Sequence, residues 1–289
     1  MKPAAERIIN ELVAATNDII SGRRDVADYP RYTLHSHTEF CDGRAQMEAF
    51  ARRAIADGFE VYGFSPHSPV PIESSCNMTT ENAERYSSEF DRIVKEHGRE
   101  VTFLKSMEID YLGANKVSFQ EYSSRFNLDY TIGSVHFIPA IDGTEVDIDG
   151  RFERFRERMA RYFNNDIHYV VNTFFDRSLE MVSEGGFDII GHFDKIGHNA
   201  AHFSPGIESE GWYQRRLNEL SEAIIASDLI VEINTKALAE HNRFFPSQSM
   251  WRRLADAGVR MVVNSDAHVP ALIDAGRSEA FKYLSRIYE

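Results

Sequence analysis

Cysteine is nearly missing from this chain: 289 residues contain only Cys41 and Cys76. Two thiols without CxxC spacing can build neither a disulfide framework nor a thiolate zinc site, so both are expected to be free. Long apolar runs are absent too. No stretch approaches membrane-spanning length, and the N-terminus lacks a secretory apolar segment, which points to a soluble, cytoplasmic protein with no membrane partner. The 17 glycines and nine prolines are scattered and mark no linker. No repeat of 20–50 residues is visible. Positive charge is also scarce. The net charge is −13, and basic residues cluster only as the pairs Arg23-Arg24, Arg52-Arg53 and Arg252-Arg253. Such a balance repels a phosphodiester backbone, so nucleic acid is not an expected partner. A small anionic substrate stays open, because bound cations reverse the local sign. There is no P-loop and no GxGxxG fingerprint. Serines stand beside histidines in "HSPVP" and "NSDAH", but neither forms a nucleophile elbow.

What is present suits one large domain: 43% of residues are hydrophobic and 27% charged, ample for a core. Residues 4–21 carry Ile8, Leu12, Val13, Ile19 and Ile20 at helical spacing, with Gly22 as the stop. Beyond them, seven β-rich runs alternate with helical patterns: "YTLHSH", "FEVYGFS", "VTFLKSMEI", "LDYTIGSVHF", "FDIIGH", "LIVEIN" and "VRMVVNSDAH". The spacing predicts helices over 45–57, 80–97, 211–227, 247–257 and 276–287, with two more within 151–183. This alternation implies parallel strands with helices outside, and seven strands fit a barrel better than an open sheet. The expected architecture is α/β, with an N-terminal helical extension over 1–30 and a barrel over 31–289.

Histidine is where the sequence becomes specific. Six of the 11 histidines stand at predicted strand ends. The first run ends in His35 and His37, which share one face because strand residues i and i+2 do. The second leads to His67, the third to Glu108, the fourth to His136, the fifth to His192, and the seventh to Asp266 and His268. Asp42 follows the first pair in a loop. In a β/α barrel these C-terminal strand ends face one mouth, where active sites lie. Nine nitrogen and oxygen donors without thiolate suit Zn, Fe, Mn or Ni. They are too many for one ion and enough for two or three if a carboxylate bridges. Such a centre acidifies a water and clamps a phosphoryl group, which points to hydrolysis.

The ordered motifs "LHSHTEFCDG", "SPHSPVP", "MEIDY", "SVHF", "IIGHFDKI" and "NSDAH" together resemble the polymerase and histidinol phosphatase (PHP) superfamily of metal-dependent phosphoesterases, over roughly residues 31–285. "HTEFCDG", "HSPVP", "GSVHF" and "INTKAL" are most similar to its histidinol-phosphatase branch. The resemblance implies a distorted (β/α)7 TIM-like barrel and hydrolysis of L-histidinol phosphate to L-histidinol and phosphate, a late step of histidine biosynthesis. It also implies two or three divalent ions (Zn, Fe or Mn). His35, His37, Glu108 and Asp266 would hold one. Glu108 would bridge to a second, held also by His136 and His192, and Asp42, His67 and His268 would hold a third. Some relatives carry histidine at the position of Asp42, and a carboxylate there favours a harder ion. The implied mechanism is in-line attack on phosphorus by a metal-bridging hydroxide, with Glu108 and Asp266 as the catalytic carboxylates and Asp266 or a water protonating the leaving group.

Arg177 and Lys195 are candidates for binding the substrate phosphate; otherwise each is a surface charge or an ion pair, Arg177 with Asp176. His198 and His202, in a predicted loop after the fifth strand, could touch substrate. His97, His168 and His241 read as ordinary surface or core residues. Asn234, ending the sixth run, is a candidate contact to substrate or to the ligands. Three alternatives remain: a related phosphoesterase acting on a nucleotide or sugar phosphate, a non-catalytic binding module, which would show eroded ligands, and an amidohydrolase-type barrel, which would want a lysine at the fourth strand. The sequence does not fix the oligomeric state.

Overall fold

The computed structural model describes residues 1–114 and 116–289. Helix α1 (Pro3–Ile20) leads into β1 (Tyr32–Thr33), α2 (Met47–Ala56), β2 (Val61–Phe64), α3 (Thr80–His97), β3 (Thr102–Lys105) and β4 (Glu108–Asp110). Helix α4 (Phe119–Arg125), β5 (Ile132–Ser134), β6 (Phe137–Pro139), β7 (Glu145–Asp147), α5 (Phe152–Tyr162) and α6 (Ile167–Glu184) follow. The last part holds β8 (Ile189–Ile190), α7 (Ile196–Phe203), α8 (Gly211–Ile225), β9 (Ile230–Asn234), α9 (Leu238–His241), α10 (Gln248–Asp256), β10 (Met261–Asn264) and α11 (Arg277–Leu284).

The strands form two parallel sheets, ordered β1-β2-β3 and β10-β9-β8-β5-β4, and a β6-β7 hairpin. β2, β9 and β10 are buried at every position. That is why they read as mostly apolar runs rather than as alternation, the exceptions being the buried Glu232, Asn234 and Asn264, which face the site or its neighbours. The third predicted run divides at Ser106-Met107: β3 pairs with β2 in one sheet, and β4 pairs with β5 in the other. Single parallel bridges, His67 with Glu108 and Ser36 with Ala267, join the sheets at both edges. Among the described residues no continuous closed ladder runs around the molecule.

Helix α1 packs on β10 and α11. Its start is tied to residues that precede strands: the Met1 ammonium lies 3.1 Å from Asp188, and Lys2 Nζ lies 2.9 Å from Asp129. It therefore lies toward the strand ends opposite the histidines. The hairpin, α4, α7 and α9 were not expected from sequence; His198 and His202 lie on α7 rather than in a loop. No helix among the described residues is long and apolar enough to cross a membrane.

Candidate metal centre

His35 and His37 flank the bridge residue Ser36, whose hydroxyl turns away to donate to the Gly63 carbonyl. The two imidazoles therefore project together, with Nε2 atoms 3.2 Å apart. The loop behind them folds back tightly. A Cβ on Gly43 would lie 2.4 Å from the Thr38 backbone nitrogen, so only glycine lets Asp42 turn toward the site. Asp266 sits at φ +49°, a left-handed conformation that aspartate tolerates at a cost.

Glu108 is the centre of the group. Its Oε1 lies 2.9 Å from His192 Nε2 and 3.6 Å from His136 Nε2. Its Oε2 lies 3.2 Å from His35 Nε2, 3.3 Å from His67 Nδ1 and 3.4 Å from His37 Nε2. Asp266 Oδ1 stands 3.0 Å from His37 Nε2 and 3.5 Å from His268 Nδ1. Asp42 approaches His268 Nε2 at 3.2 Å and His37 Nδ1 at 3.5 Å. The structure thus brings together all nine donors singled out in the sequence.

It adds others. Asp110 Oδ1 accepts from His136 Nδ1 at 2.5 Å, and Glu232 Oε1 accepts from His35 Nδ1 at 2.7 Å. Each carboxylate fixes the ring's orientation through Nδ1 and leaves Nε2 turned toward Glu108, where it would ligate a cation once deprotonated. Asp110 also joins His67 and His136 in a possible ligand set. Asn234 Nδ2 donates to Glu232 and Asp266, both at 3.1 Å, and so orients the ligands. The signal for these residues was present: Asp110 follows Glu108 by two, and Glu232 precedes Asn234 by two, placing each on the same strand face.

Of the candidate phosphate contacts, Lys195 Nζ lies 2.7 Å from Asp149 Oδ2, and its charge acts on Asp149, His136 and His192. Arg177 is not brought into the cluster. Its buried guanidinium is held by Glu145 at 2.6 and 3.2 Å and by the Phe137 carbonyl at 3.1 Å, so it pins the hairpin to α6. Asp176, its expected partner, pairs with Arg216 instead. Lys236, missed in the sequence, reaches in from the rim: Nζ lies 3.3 Å from Asp266 Oδ1 and 3.2 Å from His268 Nε2.

Glu108, Asp110, Glu232 and Asp266 are at most 2% exposed. Burial opposes their charge, yet the surrounding imidazoles hold Glu108 well below the usual carboxylate range, and Lys236 and His35 do so for Asp266. Burial also opposes protonation of His35 and His67. The carboxylates outweigh it, holding His35 well above its ordinary value and His67 up to about 9. Burial and its neighbours His268 and His67 push His37 well below. With protein groups alone, the carboxylates are balanced by protonated histidines. Divalent cations would supply that balance and leave the imidazoles neutral, as ligands must be. Asp42 Oδ1 and His67 Nδ1 are buried without a hydrogen-bond partner, as expected of atoms that face a cation. The donor set fits divalent metal ions.

Comparisons with known proteins place the chain in a family. The family model for the PHP domain matches residues 33–236, and the chain belongs to that family. Within it, the chain is 23% identical over 267 residues to a Schizosaccharomyces pombe protein named "Probable histidinol-phosphatase", covering 87% of this chain and 85% of that one. A crystal structure from Listeria monocytogenes superposes with a TM-score of 0.76 at 17% identity, over 86% of this chain and 99% of the other. Lactococcus lactis histidinol phosphate phosphatase, solved with zinc, L-histidinol and phosphate, gives 0.65 at 17% identity, over 89% and 94%.

Proposed function

We propose that this chain is a metal-dependent phosphomonoesterase whose substrate is L-histidinol phosphate, cleaved to L-histidinol and phosphate. One observation carries the phosphatase chemistry: the two oxygens of Glu108 face different imidazole sets, His136 and His192 on one side and His35, His37 and His67 on the other. A carboxylate so placed is suited to bridge two cations, and His35, His37 and Asp266 complete one ligand set while His136 and His192 complete the other. Asp42, His67 and His268 would complete a third. Bound Zn, Fe or Mn would neutralise phosphoryl charge and acidify water. The protein's own part is to hold the ligands through Glu232, Asp110 and Asn234, and to place Lys195 and Lys236 as point charges for phosphate oxygens. The names of the chain's relatives support the histidinol half of the substrate. We read the two sheets, bridged at both edges, as a distorted seven-stranded barrel that gathers these strand ends at one mouth.

The test is phosphate release from histidinol phosphate, several nucleotides and sugar phosphates, by protein loaded with Mn, Zn or Fe, with a chelated control. Histidinol phosphate is expected to lead in kcat/KM by at least about two orders of magnitude, roughly 2.7 kcal/mol. A different preferred ester would keep the metal chemistry and overturn the substrate. No release with any metal would overturn both.

A further inference from the structure

A second group of histidines lies outside the centre just described. His198 and His202 are one turn apart on α7, hence on one face. His241 ends the short helix α9 opposite them. Ring centroids are 4.6 Å apart for His198 and His202, 4.3 Å for His198 and His241, and 6.3 Å for His202 and His241. Neighbouring rings in the Glu108 cluster span 4.0 Å for His37 and His268 to 6.0 Å for His35 and His192, a range that holds two of these three separations, the pair His202 and His241 lying just beyond it. Imidazoles sharing one tetrahedral ion, with nitrogens about 2.0–2.1 Å from it, have centroids roughly 5 Å apart.

We propose that His198, His202 and His241 form a second, peripheral site for one imidazole-preferring divalent cation of the zinc, nickel and copper class. The rings line a cleft of about 670 Å³ between α7 and α9. His202 donates Nδ1–H to the His198 carbonyl at 2.8 Å, which leaves its Nε2 lone pair free. Half-burial and the adjacent His241, His202 and Arg243 keep His198 neutral, with its pKa pushed down to about 4. Arg243 is neutralised by Glu208 at 2.5 and 3.0 Å. The Glu240 carboxylate, 3.8 Å from His241 Nε2, is a fourth donor at the rim. As they stand, the three donor nitrogens do not converge on one point; the His241 ring, whose side chain is 41% exposed, would rotate to complete the set when an ion binds. The ion would clip α9 to α7. Those helices directly follow Lys195 and Lys236, so the clip would steady both cations at the mouth of the Glu108 centre.

The experiment counts ions without using turnover. Full-length protein is stripped with chelator, loaded at micromolar free Zn2+, and analysed for metal per chain; a parallel Cu2+ titration is followed by electron paramagnetic resonance. His198→Ala and His241→Ala are each expected to bind one ion fewer than the unaltered chain and to lose one imidazole-coordinated Cu2+ signal. Glu108→Gln should lose ions from the main centre and keep this one. Equal counts in all histidine variants would overturn the proposal. Because the count is independent of hydrolysis, failure of the phosphatase assignment would leave this result standing, and the reverse.

Discussion

Glu232 touches no solvent, and its carboxylate accepts from His35 Nδ1, His192 N, Asn234 Nδ2 and Asn264 Nδ2. It thereby sets the orientation of two proposed ligands without facing the reacting atoms. Glu232→Gln keeps the shape but removes the charge that polarises His35. Metal affinity and turnover are expected to fall together by about 10–100-fold. An unchanged metal titration would show that Glu232 only fills space. Glu108→Gln is the harsher change, because one neutral amide cannot serve two cations. Turnover should drop by orders of magnitude while circular dichroism stays native; a rate within about tenfold would remove Glu108 from the role of bridge.

At the scale of elements, a buried acid caps the start of α10. Asp194, just after β8, accepts from Ser247 N at 2.7 Å, and Ser247 is the N-cap of α10. Burial pushes the Asp194 carboxyl up to about 6, although Arg243 pulls the other way. A carboxyl raised in the fold binds its proton more tightly there than in the unfolded chain. Stability from this group is therefore present at low pH and lost as pH rises from the ordinary carboxyl value through about 6. Asp194→Asn can still accept from Ser247, and it should be more stable than the native chain at pH 8 by roughly 2–3 kcal/mol at most. Equal urea midpoints at pH 8 would refute the buried charge. The elements themselves were unevenly legible. Helix α3 could be bounded from sequence because Thr79 and Gly98 cap it, and the strand ends showed through their histidines. The division of β3 from β4 did not, since a run buried at all but its first strand position looks the same whichever sheet it joins. The β6-β7 hairpin was hidden for a different reason: its "DG" turn was present, but Arg177 and Glu145, which anchor it, are forty and eight residues from Phe137 and became partners only in space. Likewise Asp110 and Glu232 were visible as residues; their pairing with His136 and His35 is tertiary.

For the whole molecule, the centre concentrates four buried carboxylates in a chain whose net charge is already −13. Without cations, folding must bring these groups together against their desolvation and mutual repulsion, offset by protonating His35 and His67. The unfolded chain scatters the same ligands and binds ions weakly, so metal acts as a ligand of the native state. At a free concentration one hundred times Kd, each ion adds about 2.7 kcal/mol, and for a chain of this size that corresponds to roughly 4 °C in Tm. Chelator-treated protein should therefore melt lower, and added Zn2+ or Mn2+ should restore the transition in a concentration-dependent way. Glu108→Gln should respond less, because its share of the negative charge is gone. A Tm indifferent to both chelator and metal would mean that the histidines balance the carboxylates by themselves, and the centre would then be an ion-pair network rather than a cation site.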